Sequence, residues 1–242
     1  MVTGTRSSTT VSAIAWAGAL VFAGAMGWFL YCYAIRFAYG PPAGPVLTPI
    51  LANIALFSVF ALHHSVLART GAKAVVRRYA PVELERSLYT WVASLLFIGV
   101  CTSWQPVPGI LYRLDGVWAL AGVAIQLLGL VLTIRGAAAV DALDLAGVRP
   151  VLHAAHGTVP VHVPLETRGL YAVVRHPLYF AWVLLVFGAP VMTATRATFA
   201  VVSTLYLAVA IPWEERSLVE VFGERYEEYK RKVRWRMIPG IY

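Results

Sequence analysis

The feature that most constrains this chain is the length of its uncharged runs. Between Arg6 and Arg36 no residue carries a charge, and further apolar stretches recur along the chain. A helix rises about 1.5 Å per residue, so about 20 apolar residues cover the roughly 30 Å of a bilayer's hydrocarbon. Inside that medium every backbone N–H and C=O needs a partner within the chain, which favours helices. Composition agrees: 13% of the residues are charged and 59% hydrophobic, against roughly 25% charged in soluble domains.

Six candidate spans follow, at roughly 12–35, 46–67, 88–104, 116–134, 177–192 and 197–213. The last two are short, so their ends are expected at or just below the headgroups. The first has too long an apolar stretch and too few basic residues before it for a cleaved signal, and is expected to be retained. The expected fold is all-α, a multi-pass transmembrane helical bundle of about six spans. Cys32 and Cys101 both lie inside apolar runs and are expected to be buried, without a disulfide.

Basic residues set the orientation. Arg36, Arg113 and Arg196 fall one each in the first, third and fifth connections, and the other seventeen of the twenty Lys and Arg lie elsewhere. The positive-inside rule then places both termini and the even-numbered loops in the cytoplasm. The formal net charge of +8 is a membrane-surface signature, with anionic lipid as its partner. Nucleic acid is excluded, because the chain offers no soluble basic face. The cluster Arg225–Arg236 reads as a solvated helix on lipid headgroups.

The chain divides into residues 1–134, the first four spans, and residues 135–242, a cytoplasmic segment followed by a helical hairpin. The connection at 69–87 suits an interfacial helix turned at Pro81, and "QPVPGILYRLDG" is a Pro-Gly turn on the outer face. From Arg135 to Arg175 the chain leaves the bilayer for its longest non-spanning stretch, long enough to be a functional region. The hairpin, with "TATRA" as its outer turn, brings two motifs to the same membrane face. Arg175-His176-Pro177 enters the membrane there, and Glu214-Glu215 leaves it.

Pro177 suits the first position of a helix, leaving the amides of Leu178, Tyr179 and Phe180 as free donors at the positive end of the dipole. His176 and Tyr179 add polar groups on the same turn. Carboxylates at the end of a span are disfavoured by the dipole and by desolvation, so Glu214 and Glu215 want a cation. A ligand that is both anionic and cationic answers both motifs. Other polar residues invite blander readings. Asp141 and Asp144 suit a capping or solvated face, and His153, His156 and His162 lack ligand-like spacing, so no metal is expected. His63 and His64, late in the second span, suit packing or hydrogen bonding near a substrate portal.

"GLYAVVRHPLYFAW", a hairpin, and then "EERSLVEVFGERYEEYKRKV" resemble the isoprenylcysteine carboxyl methyltransferase superfamily, which also takes in phospholipid N-methyltransferases. Arg-His-Pro-x-Tyr, Glu-Glu, Phe-Gly and Tyr-x-x-Tyr occur in order over about 165–235. "LFSVFALHHSVLAR", "ELERSLYTWVASLL", "DALDLAGV" and "GAPVMT" extend the resemblance to bacterial methanethiol S-methyltransferases. It implies an integral-membrane methyltransferase whose cofactor is S-adenosyl-L-methionine, a carrier of a carboxylate, an ammonium and a sulfonium. By the same resemblance His176, Pro177, Leu178 and Tyr179 hold that cofactor at the hairpin's entry. Tyr171 and Leu165, the latter in the strand-like "HVPLE", line its adenosine pocket, and Glu214 faces its amino or sulfonium end. Glu215, for substrate or proton handling, and Arg175 are the catalytic candidates.

The chain departs from the family in three places, and one of them narrows the acceptor. Prenylcysteine enzymes carry an arginine one helical turn before the first glutamate, facing a substrate carboxylate, where this chain has Ala210. An uncompensated carboxylate at that depth is costly, so a small or lipophilic acceptor is favoured, with a thiol foremost and Ala210, His63 and His64 as its candidate pocket. The glycine expected after Arg-His-Pro-x-Tyr is replaced by Phe180-Ala181, and Arg234 stands where relatives tend to have proline. The alternatives are an isoprenoid, isoprenylcysteine or phospholipid methyltransferase. Outside that class stand an NADPH-dependent membrane reductase, since sterol reductases resemble the hairpin, and a haem-associated membrane protein resting on His63-His64.

Overall fold

The computed structural model describes residues 9–67, 78–158 and 165–242. In order, the helices are α1 (Thr9–Tyr31), α2 (Leu47–Leu67), α3 (Glu85–Ser103), α4 (Gly116–Ala139), α5 (Ala142–Leu145), α6 (Arg149–His156), α7 (Pro177–Phe187), α8 (Ala194–Phe222) and α9 (Glu224–Lys232). Two short strands, β1 (Ile110–Arg113) and β2 (Val191–Thr193), pair antiparallel. The fold is thus helical, as expected. Among the described residues five helical segments are long and apolar enough to cross a membrane: Thr9–Arg36, Leu47–Ser65, Val82–Ser103, Gly116–Ala139 and Ala194–Phe222. Many of their apolar side chains are exposed, as in Val117, Trp118 and Leu120 of α4, each about 70%. For a helix this apolar, such exposure marks a surface solvated by lipid.

The sixth expected span, 177–192, is a correction. Its helix α7 has 11 residues and a length of about 16 Å, too short to cross as a helix alone, and the stretch from Gly188 to Thr193 carries the chain the rest of the way to the β1 end of α4. Gly188 closes it, and Pro190, lacking an N–H, cannot extend it. The chain then pairs Val191–Thr193 with Ile110–Arg113, so the turn expected at "TATRA" falls instead on the first turn of α8, which Thr193 caps through the Arg196 amide. The last span runs longer than expected. α8 has 29 residues, passes through Pro212 and carries Glu214 and Glu215 within the helix.

The chain forms two compact units. The first comprises Met1–Phe37, Leu47–Gln105 and Ala138–His162. Here α1 lies along α3 at close range. A Cβ on Gly18 would sit 2.7 Å from the Trp91 indole nitrogen, and that nitrogen donates to the Ile14 carbonyl at 3.0 Å. Arg36 donates to the carbonyls of Cys101 at 3.2 Å and Thr102 at 3.0 Å, satisfying acceptors that the end of α3 leaves open. Cys32 and Cys101 are free and buried. Asp141 caps α5 through the amides of Leu143 and Asp144 and pairs with Arg149, the capping role expected for it, while Asp144 pairs with Arg86 at 3.0 Å. Gly147, at φ +78°, lies so close to Ser87 that a Cβ would meet its backbone at 2.6 Å. The first part of the 69–87 connection, up to residue 77, lies outside the described residues, but Pro81 does precede a helical turn at Val82–Leu84.

The second unit comprises Ala38–Val46, Pro106–Ala137 and Val163–Tyr242. In it α4 presents Gly122, Gly129 and Gly136, all buried and seven residues apart, to the hairpin's first arm. A Cβ on Gly129 would fall 2.6 Å from the Leu185 nitrogen and 2.7 Å from the Ala181 oxygen. A Cβ on Gly136 would fall 2.7 Å from Leu178. Small residues at such a seam let two backbones approach without lipid between them. The stretch from Arg135 to Arg175 is therefore not one piece: Ala138–His162, with α5 and α6, belongs to the first unit and the residues on either side of it to the second.

Candidate active site

The site is built where α7 starts, where α8 passes its proline, and where the segment after α9 returns. Pro177 opens α7 with His176 at the cap. The expectation of three free amides is corrected: the Tyr179 and Phe180 amides both donate to the His176 carbonyl, at 3.0 and 3.1 Å. The capping carbonyl is the natural first acceptor of a helix, and Pro177 has no N–H to offer, so of the three only the Leu178 amide is not taken by that carbonyl. Val174 pairs with Trp235 as an isolated parallel bridge. The amides of Arg175 and His176 donate to the carbonyls of Trp235 and Arg236 at 2.9 and 2.8 Å. Backbone bonding on this scale fixes both side chains at their root.

Arg175 and Glu215, 40 residues apart, form a buried ion pair at 2.6 Å. Their side chains are 6% and 5% exposed. Arg175 Nη1 donates to the carbonyls of Val233 at 2.7 Å and Arg234 at 3.0 Å. His176 stands between the two glutamates, Nε2 at 3.4 Å from Glu215 Oε1 and Nδ1 at 3.6 Å from Glu214 Oε2. Its ring stacks on Tyr179, with centroids 5.3 Å apart and planes 11° apart. The Tyr179 hydroxyl donates to Glu214 Oε2 at 2.7 Å. The two adjacent carboxylates thus face different environments: Glu215 is sealed, whereas Glu214 is 44% exposed and presents negative charge outward.

Beside them lies an aromatic cluster. Gly223, at φ +58°, gives the left-handed turn that a side chain would strain, and swings α9 back so that Tyr226, Tyr229 and Val233 pack with Leu165 and Tyr171. Leu165 lies in irregular chain rather than a strand, and His162–Pro164 fall outside the described residues. The Tyr229 hydroxyl donates to the Tyr171 carbonyl at 2.6 Å. Burial pushes the Tyr171 phenol up, and the charges of Glu166 and Glu214 push it further. Burial also raises Tyr226 and Tyr229 well above the usual phenol range.

Of the residues expected at the site, Arg175, His176, Pro177, Leu178, Tyr179, Glu214 and Glu215 come together around the start of α7. Leu165 and Tyr171 form the adjoining wall. Ala210 is half-buried on α8, one turn before Glu214. His63 and His64 are in the first unit, where the Tyr89 hydroxyl bonds to His64 Nδ1 at 2.6 Å and His63 stacks on Tyr89 at 5.8 Å.

Three residues were not placed at the site from the sequence, and Arg236, expected on a solvated helix facing lipid headgroups, instead lies beyond the end of α9 at Lys232 and turns to Glu215. Tyr226, 1% exposed, has a buried hydroxyl without a hydrogen-bond partner among the described residues. Arg236 brings Nε to 3.5 Å from Glu215 Oε2, and Tyr242 accepts from Arg236 Nη1 at 3.0 Å. A signal for Tyr226 was present in the Tyr-x-x-Tyr motif. For Arg236 and Tyr242 the only hint was Pro212, whose missing N–H leaves a carbonyl on α8 in want of a donor.

Residues 117–225 match the phospholipid methyltransferase family. The chain is 34% identical over 193 residues to methanethiol S-methyltransferase 2 of Bradyrhizobium diazoefficiens, covering 80% of this chain and 74% of that one. It is 35% identical over 197 residues to methanethiol S-methyltransferase of Crocosphaera subtropica, covering 81% and 77%. A shorter match, 37% over 75 residues, joins 30% of the chain to 38% of protein-S-isoprenylcysteine O-methyltransferase B of Arabidopsis thaliana. No solved structure matches the chain.

Proposed function

Because the chain belongs to the membrane methyltransferase family of its methanethiol S-methyltransferase relatives, we propose that it transfers a methyl group from S-adenosylmethionine to a small thiol such as methanethiol. The protein is an integral-membrane methyltransferase, and such an enzyme needs a methyl donor. The observation that carries the choice of donor is the contrast between the two glutamates. Glu214 offers a half-exposed carboxylate, held in place by Tyr179 and His176, beside an aromatic wall. That pairing suits a ligand with a cationic end and a planar base.

The residues present fit the group. Tyr226 has an orphaned hydroxyl beside the Arg175–Glu215 pair, and a buried polar group without a partner is costly enough to want a guest. Glu214 would hold the ammonium or sulfonium end, Leu165 and Tyr171 the adenosine, and the start of α7 the carboxylate. When bound, the cofactor supplies an electrophilic methyl group and a sulfonium cation.

The protein's part is alignment and exclusion of water. A thiol with a pKa of about 8.5 ionises more readily near a cation, and orientation in a dry pocket is worth roughly 7–11 kcal/mol. Glu215 is neutralised by Arg175 and held by three partners, so it serves as the frame that sets His176. Proton transfer by Glu215 would require breaking that frame. Ala210 supports a thiol acceptor, since it offers no cation for a substrate carboxylate. The positive-inside distribution supports an active site on the cytoplasmic side of a bacterial inner membrane.

The test is titration of the detergent-purified protein with S-adenosylhomocysteine, NADPH serving as comparator, followed by an assay for dimethyl sulfide from methanethiol. Binding of the homocysteine product alone, lost in Glu214→Ala, is the expected result. Binding of NADPH, or of neither, would overturn the reading.

A further inference from the structure

The residues after α9 make a closed strap across the site, and its links run through one defect in α8. Pro212 carries no N–H, so the Ala208 carbonyl loses the partner a helix would give it. Tyr242 fills the gap: its hydroxyl donates to the Ala208 oxygen at 3.2 Å. The same hydroxyl accepts from Arg236 Nη1 at 3.0 Å, and the Arg236 guanidinium lies over the Tyr242 ring, 5.2 Å from its centroid. The Tyr242 carbonyl in turn accepts from the amides of Met237 and Ile238, at 2.8 and 3.0 Å. A loop of six residues is thereby closed on itself, with Arg236 at its base.

The other end of that guanidinium reaches the buried glutamate. Arg236 Nε is 3.5 Å from Glu215 Oε2, while Oε1 faces Arg175 Nε and His176 Nε2 at 2.6 and 3.4 Å. A carboxylate has two oxygens, and one arginine alone leaves it free to rotate about its last bond. Held on both oxygens, it has a single orientation, and His176 inherits it. The strap also supplies the carbonyls of Trp235 and Arg236 that bind the Arg175 and His176 amides. Side chain and backbone of the same segment thus act on the same histidine.

We propose that Arg236 and Tyr242 are positioning residues for the cofactor site. Together they orient Glu215, and through Glu215 the His176 ring that stands against Tyr179 and Glu214. The proposal rests on the reading of this site as the binding place of S-adenosylmethionine. It assigns to the strap the contact that holds Glu215 Oε2.

The test compares wild type with Tyr242→Phe, Arg236→Lys and Arg236→Ala, each as full-length protein in detergent, by titration with S-adenosylhomocysteine and by steady-state kinetics. Tyr242→Phe removes only the hydroxyl and should weaken binding about tenfold, the effect of losing one hydrogen bond to a charged group. It should raise KM for S-adenosylmethionine more than it lowers kcat. Arg236→Ala should be weaker still, with part of its affinity returned by Arg236→Lys and by millimolar guanidinium ion, which a merely structural loss would not allow. If Arg236→Ala does not fold, Tyr242→Phe decides. Wild-type affinity and KM in Tyr242→Phe would overturn the positioning role while leaving the methyltransferase reading intact. Absence of binding by wild type would overturn both.

Discussion

Replacing Glu215 with alanine removes the counter-charge of a guanidinium that is itself buried. The two side chains are 5% and 6% exposed, and breaking such a pair from one side costs about 3–5 kcal/mol, because the remaining charge stays out of water. Arg175 keeps its bonds to the carbonyls of Val233 and Arg234, which favours the lower end of that range. For a chain of this size the loss corresponds to a fall in melting temperature of roughly 6–20 °C. Glu215→Gln preserves shape and one acceptor, and should cost about half as much. Glu214→Gln, at a side chain 44% exposed, should stay within about 0.5 kcal/mol of wild type and yet lose cofactor affinity. The assay is thermal unfolding in detergent micelles, run beside titration with S-adenosylhomocysteine. Equal shifts for the two glutamates, or a Glu215→Ala melting temperature within a degree of wild type, would refute the division into frame and ligand.

Gly129→Ala places a methyl group where the Leu185 nitrogen and Ala181 oxygen stand; it should cost about 1–3 kcal/mol in the same melting assay. Gly27→Ala, with nothing within 4 Å of the added carbon, should instead gain about 0.5–1 kcal/mol. Tyr226→Phe deletes a buried, unpartnered hydroxyl, so the ligand-free protein should be stabilised by about 1 kcal/mol while cofactor binding weakens, a pair of opposite signs that calorimetry can read. Because the phenols of Tyr226 and Tyr229 are raised by burial, their contribution to stability is full below the ordinary phenol value near 10. It declines as pH rises from there through the raised values. Tyrosinate absorbance should therefore lag in the folded protein, and Tyr229→Phe should flatten the alkaline limb of the stability curve.

Much of this was legible in the sequence because bilayer crossing and helix pairing leave coarse marks. Uncharged runs located the spans, and Arg175-His176-Pro177 and Glu214-Glu215 were placed together by hairpin logic alone. Hydropathy could not reveal that the run 177–192 splits into a short helix and a strand, since Val191–Thr193 is as apolar as the helix before it. Nor could it stop α8 at Pro212: a proline breaks a helix only where nothing else satisfies the freed carbonyl, and here Tyr242 does. The division of labour between Glu214 and Glu215 was illegible for a similar reason. Adjacent residues on a helix point about 100° apart, and which of them faces the interior depends on the distant Val233–Arg236 segment.

The shortness of α7 has a consequence for traffic. At about 16 Å the helix covers only part of a hydrocarbon layer roughly 30 Å deep, and the irregular stretch through Pro190 to β2 covers the rest. The seam of Gly122, Gly129 and Gly136 binds the whole of this stub to a full-length neighbour. Charged groups at its mouth can therefore sit below the headgroups without being dragged to the bilayer's centre. On the proposed reading, a hydrophilic cofactor from water and a small apolar acceptor from lipid would each travel only part of the way, and neither would have to cross into the other's solvent to be joined.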